Sequence, residues 1–522
     1  MKRLRQALLG YFLLFACLGN AADIYVSPTG SDLHDGSKEK PFATLQMALR
    51  KARELRRLND PSVNGGINII LRGGVYILSE PVFIRPEDSG ADDSPTRIIA
   101  ATGEEPVLSG GVQLQHWKKL TSTIPGLSPK ATGKVWVTDL AAISQQPLNF
   151  RQLWINNVKA TKAKDMNGEK MNRILSWDKK EQTCWIPTPK IPGFATIKGA
   201  EFFIHQWWAI AILRINKMEV KGDSTKLYFE QPESRIQSEH PWPAPWISGE
   251  TGNSPFYLTN ALAFLDEPGE WWLDRQQQKL YYWPRKNENM NQVSATIPVL
   301  ETLVRIEGTL ENPVTHIRFN GIRFQHTGWL RPSEQGHVPH QNGLYMTDAY
   351  RLKPAGTKEK PLLDNQAWVG RQPSAVYLAY TETVVIENCR FEHLAATGLD
   401  FHRGVYDNLA MGNLFKEIGG SGIMAGVYSD PGHEIHLPLQ SKDERDHCNG
   451  IVITNNLVTD VTNEDWSCVG IGLGYTRNSV VSNNEVNNVS YSGITMGWGW
   501  SAAPNMMRNN LLYRNRIHHY GK

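Results

Sequence analysis

Cysteine is scarce in this sequence, with five in 522 residues and no two in a CxxC spacing. That excludes a disulfide-framed miniature fold and a zinc ribbon. Cys17 lies in the leader, and Cys184, Cys389, Cys448 and Cys468 read as buried thiols. A surplus of one charge is missing as well. The formal charge is +3, and losing Lys2, Arg3 and Arg5 with the leader brings it to zero. With no basic stripe and no recognition helix, nucleic acid is not expected as a partner. Long hydrophobic runs are also absent, because the stretch from Ala7 to Leu18 is too short to span a bilayer. The HEXXH metal motif is missing too. His433, Glu434 and His436 form HEIH in a loop with His447 further on, and this lacks the helical spacing of that motif, so no metal or other cofactor is expected.

What is present begins with the leader. MKRLRQALLGYFLLFACLGNAA has a basic start, an apolar run and small residues at Ala21 and Ala22, and reads as a secretory signal over residues 1–22. The expected location is therefore secreted, periplasmic or outer-membrane-associated in a Gram-negative bacterium. Leu14-Phe15-Ala16-Cys17 also resembles a lipoprotein signal, so a lipid anchor on Cys17 is the one membrane connection expected. Hydrophobic residues make up 40% and tryptophans number 17, the composition of a folded, aromatic-rich chain.

A repeat dominates the C-terminal half. An apolar strand leads to an Asn or small residue, an apolar residue two positions on, and then Gly-Ile or Gly-Leu. Examples are VVIENCRF…TGLDF (384–401), VITNNLV…VGIGLG (452–474) and SVVSNNEV…SGITMG (479–497). The aligned positions are Ile322, Cys389, Asn413, Asn456, Asn484 and Asn515, at intervals of 67, 24, 43, 28 and 31 residues. Constant strands with variable loops, and no tight hairpin signals between them, predict parallel stacking with the asparagines in an internal ladder. The expected fold is an all-β, right-handed parallel β-helix.

An N-terminal part, 23–111, supplies a strand, a helix from about Thr44 and the first coils. The helix would cap the open end of the stack. Residues 112–300 break the pattern and read as an inserted antiparallel module, in which Trp271 and Leu273 pair with Leu280 and Tyr282 across a polar turn. Residues 301–522 form the main helix. Ile517 would place its glycine two residues past Lys522, so a truncated last coil is expected.

The opening IYVSPTGSD…DGSKEKPFATLQ, the hairpin EWWLDRQQQKLYYWP and the C-terminal YSGITMGWGW resemble secreted bacterial β-helix glycoside hydrolases, closest to glycoside hydrolase family 141. That resemblance covers nearly the whole mature chain. It implies hydrolysis of plant cell-wall polysaccharide, at α-L-fucoside or xylan linkages, by carboxylates.

Such chemistry needs two carboxyl groups about 5–5.5 Å or 6.5–9.5 Å apart, roughly one or two coils. In TGLDFHRG, Leu399 and Phe401 face the core, which turns Asp400 and His402 outward. The second candidate is Asp465, with its neighbour Glu464, in a turn five residues longer than its equivalents. His402 is expected to orient or tune Asp400. Trp498 and Trp500, set among glycines, together with Trp466 and His326, are the expected substrate contacts. Gly497 and Gly499 are expected to let a ligand approach the backbone. Two other readings stay open: a polysaccharide lyase using Arg403 or Lys416 on a uronate, and a non-catalytic glycan-binding protein.

Overall fold

The computed structural model describes residues 21–349, 366–437, 439, 441, 443–499 and 505–521. Cys17, the leader up to residue 20, and Trp500 lie outside the described residues. The chain is all-β, and most of its strands lie in three parallel sheets that are wound together. The first sheet runs from Ala22–Val26 through Ile67–Leu71 to Leu511–Tyr513, and the second from Gly74–Ile77 to Arg516–Tyr520. The third comprises Val82–Ile84, Val304–Glu307, Ser374–Glu382, Thr397–Tyr406, Ile423–Ala425, Ile471–Leu473 and Ile494–Met496 in that order. Each coil gives one strand to each sheet in turn, a topology consistent with a parallel β-helix.

The repeat explains the stacking. Phe324, Phe391, Phe415, Val458, Val486 and Ile517 are register partners down the second sheet. Phe391 and Phe415 stack at 4.5 Å between centroids. Two residues earlier the ladder forms as expected. Asn413, Asn456 and Asn484 each donate Nδ2 to the Oδ1 of the asparagine in the next coil at 2.9 Å. The same oxygens accept the backbone N–H of the preceding coil's asparagine at 3.0 Å. Polar groups inside the coil are thereby satisfied coil by coil.

The Gly-Ile signal has a steric cause. A Cβ on Gly398, Gly422 or Gly470 would lie 2.7, 2.8 and 2.6 Å from the carbonyl oxygen of the next coil's glycine. Six residues down the second sheet, His326, His393, Glu417, Asp460, Asn488 and His519, adopt left-handed backbone with φ between +51° and +60°. They form one column, which turns the chain at the same corner of each coil from His326 onward.

The helix Leu45–Arg57 starts at Thr44, whose Oγ1 accepts from Met47 N at 3.2 Å. Leu45, Ala48, Leu49 and Ala52 form its buried stripe, in one core with Ile24, Val26, Ile67 and Ile69. Between strands Pro106–Ser109 and Val304–Glu307 the chain leaves the parallel sheets. Gly111–Leu114 pairs antiparallel with Ala295–Pro298 at the neck of this excursion. Within it Trp271 faces Tyr282 and Leu273 faces Leu280, the pairing expected from the sequence. Cys184, Cys389, Cys448 and Cys468 are free and buried. Among the described residues, no helix is long and apolar enough to cross a membrane.

Candidate active site

The outer face of the third sheet carries one row in register: Tyr377, Asp400, Met424, Gly472 and Thr495. Leu399 and Phe401 point inward, fully buried. Asp400 therefore points out of the coil, yet it is only 2% exposed. An excursion between the second and third sheets folds back over it, ending in the antiparallel pair Leu344–Ala349 and Ala367–Arg371. Its last residue, Arg371, places Nη2 2.5 Å from Asp400 Oδ1, an ion pair whose angle is off the hydrogen-bond line.

Arg371 organises what surrounds Asp400. Its Nη1 donates to Gly426 O at 2.7 Å and to His402 Nδ1 at 3.1 Å, which makes Nδ1 the acceptor. His402 Nδ1 is 3.6 Å from Asp400 Oδ2, beyond hydrogen-bond reach, so the guanidinium stands between the two expected partners. The guanidinium carbon also lies 5.2 Å from the ring centre of Tyr428, whose edge meets Trp498 at 4.9 Å. Asp400, His402 and Trp498 are thus brought together through Arg371 and Tyr428. Burial, followed by the charge of Asp400, pushes the Tyr377 hydroxyl up. Thr495 Oγ1 donates to Asn342 Oδ1 at 3.0 Å and closes the row against the excursion.

Trp498 is half-buried and packs on the core of the antiparallel region. The glycines beside it have φ of +110° and +104°, but Gly499 answers to a protein neighbour. A Cβ there would meet the Tyr475 hydroxyl at 2.3 Å. The close approach expected for a ligand is made by Tyr475.

Asp465 sits on the other side of the same short segment. Gln372, which follows Arg371, donates Nε2 to Asp465 Oδ2 at 2.7 Å. Ser467 donates its N–H and hydroxyl to Oδ1 at 3.0 and 2.7 Å, and His337 Nε2 lies 3.2 Å from Oδ2. Burial pushes this carboxyl up, but His337 and the Ser467 bonds outweigh it and hold the group below its ordinary range. Asp465 is fully enclosed. Its neighbour Glu464 points away into a separate cleft of about 260 Å³, where it pairs with Lys159 beside Lys162, Phe203, Tyr257 and Trp466. The Trp466 ring lies 4.3 Å from His205 at 71°. In the same cleft burial pushes the Lys162 amine down to about 7, its Nζ lying 3.2 Å from both Glu201 oxygens.

His326 belongs to a third cluster. Its Nδ1 is 3.0 Å from Ser109 Oγ, and its ring lies 5.1 Å from Trp154 and 5.6 Å from His393. Burial and then His393 push it down to about 3. His393 in turn meets Glu417 Oε2 at 2.6 Å. Arg403, the base of the lyase reading, pairs with Asp430 at 3.2 Å, and Lys416 stands exposed on the second sheet. Glu434 of the HEIH loop accepts from Ala367 N and meets His436 Nδ1 at 2.5 Å. Arg371, Gln372 and Tyr428 were not among the expected residues. Arg371 lies in WVGRQP, just before the strand Ser374–Glu382, in a stretch without the repeat's pattern.

Comparison with known proteins agrees with this architecture. A family model described as the GH141 insertion domain matches residues 133–285. A solved structure titled "Glycoside hydrolase" is 46% identical with a TM-score of 0.91, covering 96% of this chain and 84% of its own. Two curated relatives match short stretches. The uncharacterized protein YwoF of Bacillus subtilis is 35% identical over 92 residues, which is 18% of this chain and 16% of YwoF. Pectate lyase PEL9 of Emericella nidulans is 34% identical over 90 residues, 17% of this chain and 19% of the lyase. The chain thus spans less than a fifth of the length of either curated relative. Identity at 46% over nearly the whole length, together with the family-specific match inside the antiparallel region, places the chain among the GH141-like glycoside hydrolases, a family of enzymes.

Proposed function

We propose that the protein is a secreted hydrolase of plant cell-wall polysaccharide, acting on α-L-fucoside or xylan linkages through carboxylate chemistry, with its substrate on the outer face of the third sheet. The observation that carries this reading is Asp400, fixed by Arg371 in an outward row and bordered by Tyr428 and Trp498. A carboxylate held in place by an ion pair suits the role of facing the positive charge that develops at the anomeric carbon. Half-buried Trp498, on the rim, supplies an apolar face for a sugar ring. Both Asp465 oxygens are taken up by Gln372, His337 and Ser467, so its part is positioning. It fixes Gln372, and through the chain Arg371, above Asp400. Residues 112–300 are the inserted module in this reading, and the helix Leu45–Arg57 caps the first coil.

The test is product analysis on a panel of fucosides, xylans and pectins. Reducing ends without ultraviolet-absorbing unsaturation support hydrolysis, and Asp400→Asn should then lower kcat by several orders of magnitude. An unsaturated product from a uronate-containing glycan would replace this reading with a lyase.

A further inference from the structure

Three large clefts lie away from Asp400 and Asp465, on the antiparallel region, and they meet at one residue. In the hairpin Glu270–Asp274 and Lys279–Tyr282, alternation sends Trp271, Leu273, Leu280 and Tyr282 into one core. Trp272 and Tyr281 face the opposite side, paired across the strands with rings 5.6 Å apart. Trp272 is half-buried and lines three clefts of about 1190, 780 and 730 Å³. The first and second also share Pro125 and Leu262, and the first and third share Thr196, Ile197 and Lys198.

We propose that these three adjoining clefts act as one groove around Trp272 and bind a segment of polysaccharide chain, independently of the site on the third sheet. Its build suits a sugar polymer. An aromatic face at the centre covers the apolar face of a pyranose, and the walls alternate apolar and hydrogen-bonding groups. Pro187, Pro189 and Pro192 stiffen one wall. Lys130 is already engaged by Asp266 at 2.7 Å. Lys190 and Lys198 line the groove, are exposed, and have no ion-pair partner among the described residues. They favour a chain bearing acidic substituents, such as a uronate-decorated xylan. An apolar protein partner would need a continuous hydrophobic surface, which this charged rim interrupts.

The inference rests on the proposed function only for its choice of probes, and the experiment separates the two. The full chain is run through native gels containing glucuronoxylan, neutral arabinoxylan or no glycan, and reducing-end release from the same polymers is read separately. Trp272→Ala should weaken binding about tenfold or more, the scale of losing one stacked ring. Because Trp272 also packs on its own sheet, the exposed variant Lys198→Glu is the companion. It should keep the wild-type melting temperature and weaken glucuronoxylan binding several-fold. Wild-type mobility unchanged by any glycan, or both variants retarded as strongly as wild type, overturns the groove. Sugar release alongside variant-insensitive binding does so while leaving the hydrolase reading intact. Variant-sensitive binding without release supports the groove and removes xylan from the linkages the hydrolase reading names.

Discussion

Replacing Arg371 by Met keeps most of the side-chain volume and removes the guanidinium beside Asp400. The structure fixes what is lost: the ion pair to a carboxylate that is 2% exposed, and the hydrogen bond to Gly426 O at 2.7 Å. Removing one partner of a buried pair leaves an uncompensated charge and costs about 3–5 kcal/mol. The orphaned Gly426 carbonyl adds about 1 kcal/mol. Asp400→Asn removes the same pair but leaves Arg371, 11% exposed, still bonded to Gly426 and able to reach water, so its cost should be smaller. The double variant carries no buried charge. Its cost should fall short of the sum of the single variants by roughly 2 kcal/mol or more, well beyond the additivity expected of independent sites. Urea denaturation followed by circular dichroism and tryptophan fluorescence measures all three, provided the two probes coincide. Additive costs, or an Arg371→Met penalty below about 1 kcal/mol, would refute the argument that a buried carboxylate depends on this guanidinium.

Three further outcomes are expected. Asn456→Ala, in mid-ladder, should cost about 2–4 kcal/mol by stranding buried donors and acceptors in two neighbouring coils, whereas Asn515→Ala at the last rung described should cost about 1 kcal/mol; urea titration checks the ratio. Gly422→Ala should cost at least about 2 kcal/mol, since its Cβ would lie 2.7 Å from Val458 Cγ1 and 2.8 Å from Gly470 O, while Gly249→Ala, in open space, should be near neutral in thermal scans. Burial raises the carboxyls of Asp165 and Glu270 to about 7, so their contribution to stability is present at low pH and is lost as pH rises towards 7. The slope is at most about 1.4 kcal/mol per pH unit per group, and Asp165→Asn should flatten the fall in melting temperature between about pH 5 and 7.

The repeat was legible because its physics is local and recurs. The ladder asparagines, the apolar column two residues on and the glycines forced by the next coil's carbonyl each leave a mark in most copies. The hairpin pairing of Trp271 with Tyr282 was legible for a similar reason, since alternation and a polar turn fix its register. The outward direction of Asp400 followed from that alternation, but its burial did not. Burial comes from an excursion with no repeat, whose Arg371 folds back over a strand that begins 26 residues later. Asp465 and Glu464 looked like one acidic pair, and the turn sends them to opposite sides, Asp465 to Gln372 and Ser467 and Glu464 to Lys159. His326 was read as a substrate contact. Its burial against Trp154 depends on a region that departs from the β-helix pattern more than 150 residues earlier.

The left-handed column down the second sheet gives the molecule something like a standard fitting. From His326 to His519 every coil turns with the same backbone at the same height, whatever length of chain follows. A loop can therefore be lengthened, shortened or exchanged beyond that corner without disturbing the coils above and below. For the engineer this marks interchangeable parts: a loop transplanted from a relative between, for example, residues 462 and 470, with Asp465 and Ser467 retained, should alter what the cleft accepts while the scaffold keeps its register. For the lineage it means that new specificities can be tried one coil at a time, on a frame that does not have to be rebuilt for each.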